Sequence, residues 1–97
     1  MFARIGSWQG TPAEIEQWID RGRDFARPNL EQEPGLKAAY WLVDRESGKA
    51  LIITLWESEE AMLAGETARV KRQSTMAAHT GARVMTSRYE VVDTLVR

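Results

Sequence analysis

Leu51-Ile52-Ile53-Thr54-Leu55-Trp56 is apolar at five of six consecutive positions. A strand with one wet face alternates polar and apolar residues, because successive side chains point to opposite sides of the sheet. This segment is therefore predicted to be a strand covered on both faces. The chain holds only two helical segments, and in a β-α-β-β-α-β order both pack on one face of a single sheet. A second copy of the chain is the simplest cover for the other face, so the sequence predicts a homodimer.

The remaining elements are set by local chemistry. Residues 1–8 read as a first strand, with Phe2, Arg4, Gly6 and Trp8 on one face and Ala3, Ile5 and Ser7 on the other. Thr11-Pro12-Ala13-Glu14 is a helix start, with Thr11 as N-cap, proline in the first turn and Glu14 placed to close a capping box. Ile15, Trp18, Ile19, Gly22 and Phe25 or Ala26 continue it as a core stripe, and Pro28 ends or kinks the helix near Arg27.

Leu36 to Val43 is a second strand with Tyr40 and Trp41 on opposite faces, and Asp44-Arg45-Glu46-Ser47-Gly48 turns into the third strand, Lys49 to Trp56. Ser58 caps a second helix, with Glu59 and Glu60 in its first turn and Ala61, Met62, Ala64, Gly65 and Ala68 as a small-residue face. A break is expected around Gly65-Glu66-Thr67, with helix resuming to about His79. Arg83 to Leu95 is expected as a long last strand. Residues 1–97 thus read as one α+β ferredoxin-like domain with a four-stranded antiparallel sheet.

Composition excludes several classes. Thirteen basic and fourteen acidic residues are mixed along the chain, so no basic stripe suggests nucleic acid and no basic block suggests anionic lipid. The absence of cysteine removes disulfides, thiol catalysis, iron–sulfur clusters and thiolate zinc sites. Met1 to Trp8 has no apolar signal core, and no segment approaches the ~20 apolar residues of a membrane span. A soluble cytoplasmic protein is expected. A single histidine with turn-type acidic clusters does not make a metal site, and neither a glycine-rich phosphate loop nor a nucleophile elbow is present.

The junction Thr54-Leu55-Trp56-Glu57-Ser58-Glu59-Glu60-Ala61, the small-residue helix after it, and the closing Arg88-Tyr89-Glu90-Val91-Val92 together resemble the antibiotic biosynthesis monooxygenase family. The resemblance spans almost the whole chain as an order of elements, with the Trp-x-Ser-x-Glu-Ala junction its most characteristic part. It implies a dimeric α+β barrel with a pocket in each subunit between sheet and helices. It also implies oxygenation of a flat aromatic or quinol-like molecule without a cofactor. A non-catalytic binding or stress-associated dimer of the same fold is the alternative.

Cofactor-free oxygenation needs a dry pocket, aromatic surfaces for a flat ring system, and a group to take a proton. Trp41, Trp56 and Tyr40 lie on the central hairpin, where a pocket floor would be; they serve equally as core or interface aromatics. His79, the only histidine, is the side chain with an ordinary pKa near neutrality and is the first candidate base; it also suits a helix end. Tyr40 is the second acid–base candidate, with Tyr89 and Arg88 weaker ones, and Arg88 reads equally as an interface ion-pair partner. Met62, Met76 and Met85 are either a soft pocket lining or core fillers.

The haem-degrading branch of the family has stricter marks. An asparagine one step before the basic residue of the first strand is replaced by Ala3 before Arg4. A tryptophan nine positions after Trp56 is replaced by Gly65, and a ligating histidine nineteen positions after it is replaced by Thr75. Haem degradation is not expected, and neither metal nor flavin is invoked.

Overall fold

The computed structural model describes the backbone of residues 1–76 and 82–97, and the side chains of residues 1–67 and 86–97. Strand β1 (Phe2–Gln9) leads into α1 (Pro12–Arg21), a π-helical turn (Gly22–Ala26) and the short α2 (Arg27–Leu30). Strands β2 (Leu36–Asp44) and β3 (Lys49–Trp56) come next, then α3 (Glu59–Met76) and β4 (Ala82–Glu90). The strands form one antiparallel sheet in the order β2-β3-β1-β4. This is the predicted ferredoxin-like arrangement.

The predicted start of α1 is present in full. Glu14 N–H donates to the Thr11 hydroxyl at 3.2 Å and Thr11 N–H donates to the Glu14 carboxylate at 3.0 Å, closing the capping box. These two bonds hold the Glu14 carboxyl below the ordinary glutamate range. The β2–β3 hairpin closes through Asp44, whose carboxylate accepts from the N–H of Glu46 and Ser47; hydrogen bonding from the Ser47 side chain first, and then from these N–H groups, holds it below its ordinary value. Gly48, at φ 73°, passes so close to the Gly10 carbonyl that only glycine fits the corner. At α3, Ser58 Oγ accepts from Ala61 N–H at 3.1 Å, as a cap should.

Three boundaries differ from the expectation. The first helix does not stop at Arg27: the π-helical turn adds a residue to the winding, and Pro28 then sits in the first turn of α2. That extra residue rotates the helix beyond it, so Phe25 is 53% exposed while Leu30 is buried. The second helix runs unbroken through Gly65 to Met76. Gly65 is there for close approach, since a Cβ would lie 2.8 Å from Cζ2 and Cζ3 of the Trp56 ring. The last strand ends at Glu90 rather than Leu95; Val91 N–H bonds the Met1 carbonyl, and Val92, Leu95 and Val96 beyond it are exposed.

Register settles the faces. Pairing places Phe2, Arg4, Gly6 and Trp8 of β1 beside Trp56, Thr54, Ile52 and Ala50 of β3, and Ala39, Trp41 and Val43 of β2 on the same side. This is the helix face, because Ile15 and Trp18 of α1 bury Ala50 there, with Trp8, Ile19, Trp41, Val43 and Ile52 packed around them. Trp8 and Trp18 meet at 5.4 Å between centroids, tilted by 50°. The opposite face carries Ala3, Ile5, Ala38, Tyr40, Leu42, Leu51, Ile53, Leu55 and Tyr89. Among the described residues no helix covers it, and Tyr40, Leu42, Leu51 and Tyr89 are exposed. The Leu51–Trp56 run does not alternate because, Thr54 apart, both of its faces are apolar: Ile52 and Trp56 face the helices, and Leu51, Ile53 and Leu55 belong to the open face.

Candidate functional site

The helix face has two unlike halves. Beneath α1 it is the apolar core of Ile15, Trp18 and Ala50. Beneath α3, which packs on β1 and β3, aromatic and charged groups converge. Alternation along the two central strands brings Trp56, Thr54 and Arg4 to one side, and the β1–β4 pairing sets Arg88 directly opposite Arg4. Thr54, Arg4 and Arg88 thus form one row across three strands, with Trp56 in the next row.

Trp56 is fully buried. Its indole N–H donates to the Thr54 hydroxyl at 2.9 Å, and Gly65 of α3 lies against its ring. The Arg4 guanidinium stands over the ring, 5.7 Å from its centroid, in cation–π geometry. Arg4 is itself buried, at 5% exposure. Glu66, one helical position after Gly65, accepts from Arg88 Nε at 3.0 Å and from Nη2 at 2.5 Å, a two-pronged ion pair. The Glu66 carboxylate, through those bonds and its charge, pushes the Arg88 guanidinium further above its already high value. Met62, buried, completes the α3 side.

Of the residues singled out from sequence, Trp56, Met62 and Arg88 therefore fall on this α3 half. Trp41 does not join them. It shares the helix face but lies two rows from Trp56, roughly 13 Å along the strand direction, with its indole Nε1 against Gly22 at the start of the π-helical turn. Tyr40 points to the open face, away from both helices. His79 lies outside the described residues, as do the side chains of Met76 and Met85.

Arg4, Thr54 and Glu66 were not singled out from sequence. The signal for Arg4 was nonetheless present, in an arginine sharing a strand face with Phe2, Gly6 and Trp8. The signal for Glu66 was masked by the glycine beside it, which reads as a break.

The open face holds a separate feature, a shallow cleft of about 450 Å³ at the hairpin end of the sheet. Ser7, Gln9, Leu42, Asp44, Lys49 and Leu51 are among its walls. Trp8, Val43 and Ala50, the intervening residues of the same strands, complete its lining, and it shares no residue with the α3-side cluster. Among the described residues no group of three or more acidic or histidine side chains is placed to hold a metal, and no helix is long and apolar enough to cross a membrane.

A four-stranded antiparallel sheet with both helices on one face defines the chain as a ferredoxin-like α+β protein. The family model described as antibiotic biosynthesis monooxygenase matches residues 1–67, and the chain belongs to that family. The uncharacterized protein Rv2558 of Mycobacterium tuberculosis is 33% identical over 64 residues, covering 66% of this chain and 27% of that protein. The chain thus spans about a quarter of the length of the curated relatives it matches.

Among solved structures, the monooxygenase from the ActVA-Orf6 gene of Streptomyces coelicolor, in complex with nanaomycin D, superposes with a TM-score of 0.79 at 12% identity. The match covers 99% of this chain and 91% of that one. A dimeric ferredoxin-like protein from an uncultured marine organism gives a TM-score of 0.74 at 12% identity, over 99% and 97% of the two chains. At such identities the likeness is one of fold.

Proposed function

We propose that the chain is a monooxygenase of its family's type, holding a flat aromatic or quinol-like molecule between the sheet and α3 and oxygenating it without metal or flavin. The observation that carries this reading is the α3-side cluster, in which a buried guanidinium lies over a buried indole beside a second guanidinium and a carboxylate. A structural core has little use for such a set, since burying charge costs more than apolar packing would. A site that must stabilise negative charge has a direct use for it.

The chemistry is that of an acidic methylene C–H flanked by aromatic rings and conjugated with a ketone, as in an anthrone. Loss of its proton leaves a carbanion whose charge is delocalised onto the ring oxygen, and this species donates an electron to dioxygen. The resulting radicals couple to form a C–O bond, and the hydroperoxide then loses water. The methylene carbon has become a carbonyl, and one O₂ has yielded one carbonyl oxygen and one H₂O. Arg4 and Arg88 would stabilise the ring oxyanion, and Trp56 beneath Arg4 would hold that guanidinium in place.

We assign the proton acceptor to His79, because imidazole is the side-chain type that exchanges a proton near neutral pH. Tyr40, on the open face, we assign instead to contact with a second copy. The open apolar face supports a homodimer in which the two sheets close on each other, as does the likeness to a dimeric ferredoxin-like protein.

An oxygen electrode tests the reading, using metal-chelated, flavin-free protein with anthrone as probe. The expected result is protein-dependent oxygen uptake, matched by quinone product and sharply reduced in Arg88→Gln. Uptake no faster than the spontaneous rate, with a probe that demonstrably binds, would instead assign the chain to non-catalytic binding.

A further inference from the structure

Past the bond from Val91 N–H to the Met1 carbonyl, the chain leaves the sheet with its apolar side chains in solvent. Val92, Leu95 and Val96 are 89%, 82% and 84% exposed, whereas the other exposed large apolar residues reach no more than 54%, at Tyr89. The segment Val91-Val92-Asp93-Thr94-Leu95-Val96-Arg97 has the composition of a strand, β-branched and free of glycine and proline. Among the described residues no strand lies beside it. In an extended chain Val91 and Leu95 fall on one side and Val92 and Val96 on the other. A strand apolar on both sides is suited to cover on both.

The cleft on the open face, with Leu42 and Leu51 in its lining, is the matching vacancy, and it lies at the other end of the sheet. Strand β4 runs antiparallel to β1, so segment 91–97 heads away from the hairpin. The cleft begins at the Ser7 row, six residues or roughly 20 Å along β1 from the Met1 row. Leu95 is four residues beyond Val91, a reach of roughly 13 Å even after a reversal. The segment therefore cannot fill the cleft of its own chain. Two sheets that close open face to open face about a twofold axis perpendicular to the strands set the outgoing end of each over the hairpin end of the other. Asp93, on the same side of the extended segment as Leu95, then brings a negative charge toward Lys49 of the cleft.

We propose that residues 91–97 form an arm that crosses to a second copy of the chain and seats Leu95 in that copy's cleft, reciprocally in both directions. This rests on the reading of the open face as the face of a homodimer, which the test separates from the arm.

The chain has no cysteine, so introduced thiols report this contact alone. Leu95→Cys and Leu42→Cys proteins are mixed, left to exchange subunits and oxidised, and the products are digested for peptide masses. The expected result is a disulfide joining positions 42 and 95, which two chains must supply because each carries one thiol. Leu95→Asp, at a side chain exposed in the single chain, should keep the far-ultraviolet circular dichroism and weaken dimerisation about tenfold or more, as loss of a buried leucine would. A dimer by light scattering in which positions 42 and 95 do not link would overturn the arm and leave the homodimer standing. So would a dimer that Leu95→Asp does not weaken. A protein monomeric at every concentration would overturn the homodimer and the arm with it.

Discussion

Replacing Gly65 by alanine tests how tightly α3 is seated on the sheet. In an exposed helix interior this change stabilises by about 0.8–1.0 kcal/mol, because glycine is the poorer helix former. Here the new Cβ would lie well inside contact distance of the Trp56 ring. The ring has nowhere to move: its N–H is tied to Thr54 at 2.9 Å, Arg4 stands over its face, and it is wholly buried. Overpacking of this kind costs about 1–3 kcal/mol, so the net effect is a destabilisation of up to about 2 kcal/mol.

Thermal unfolding at fixed protein concentration should show it, at roughly 4–8 °C per kcal/mol for a chain of this size. A double-mutant cycle isolates the contact. In a Trp56→Leu background the same Gly65→Ala change should lose its penalty and become stabilising, a coupling of about 1–3 kcal/mol. A Gly65→Ala protein that melts higher than the parent would refute the seating of α3 on Trp56.

Other parts of the molecule give two more expected outcomes. Thr11→Ala removes the capping box and should cost about 1 kcal/mol in urea unfolding. Because the folded Glu14 carboxyl is held below its ordinary value by Thr11, that contribution is present above the unfolded glutamate pKa and is lost as pH falls through the folded one. The variant's stability should therefore change less than the parent's between about pH 5 and pH 3, and parallel pH profiles would contradict the assignment. Ile53→Lys places a charge in the middle of the open face and should halve the mass seen by light scattering while leaving the far-ultraviolet circular dichroism intact. An unchanged mass would place any dimer contact elsewhere.

The legibility of this chain divides along physical lines. The apolar character of both faces of the third strand is visible because each residue of Leu51–Trp56 has to suit whichever side it meets. The capping residues Thr11, Glu14 and Ser58 are visible because caps depend on a few neighbouring atoms. Which of Tyr40 and Trp41 faces the helices is not visible. That depends on register, and the β2–β3 pairing shifts between Leu36 and Ala38, where a single residue exchanges the faces.

The π-helical turn is equally hidden: nothing in Gly22-Arg23-Asp24-Phe25-Ala26 announces an extra residue in the winding, so helical spacing alone puts Phe25 on the core stripe. Gly65 reads as a break through its propensity alone, whereas its reason lies across the core in the Trp56 ring. The same long-range logic conceals Thr54 and Glu66, ordinary polar residues until register and helix seating bring them to Arg4 and Arg88.

The measurement that bears most directly on the α3-side site is the nitrogen-15 spectrum of the indole N–H groups, one for each of the four tryptophans. During titration with anthrone under argon the Trp56 signal, beneath Arg4, should move furthest, with those of Trp8 and Trp18, in the α1 half of the core, nearly still. Movement confined to Trp8 or Trp41, with Trp56 unmoved, would place the ligand elsewhere and contradict the account.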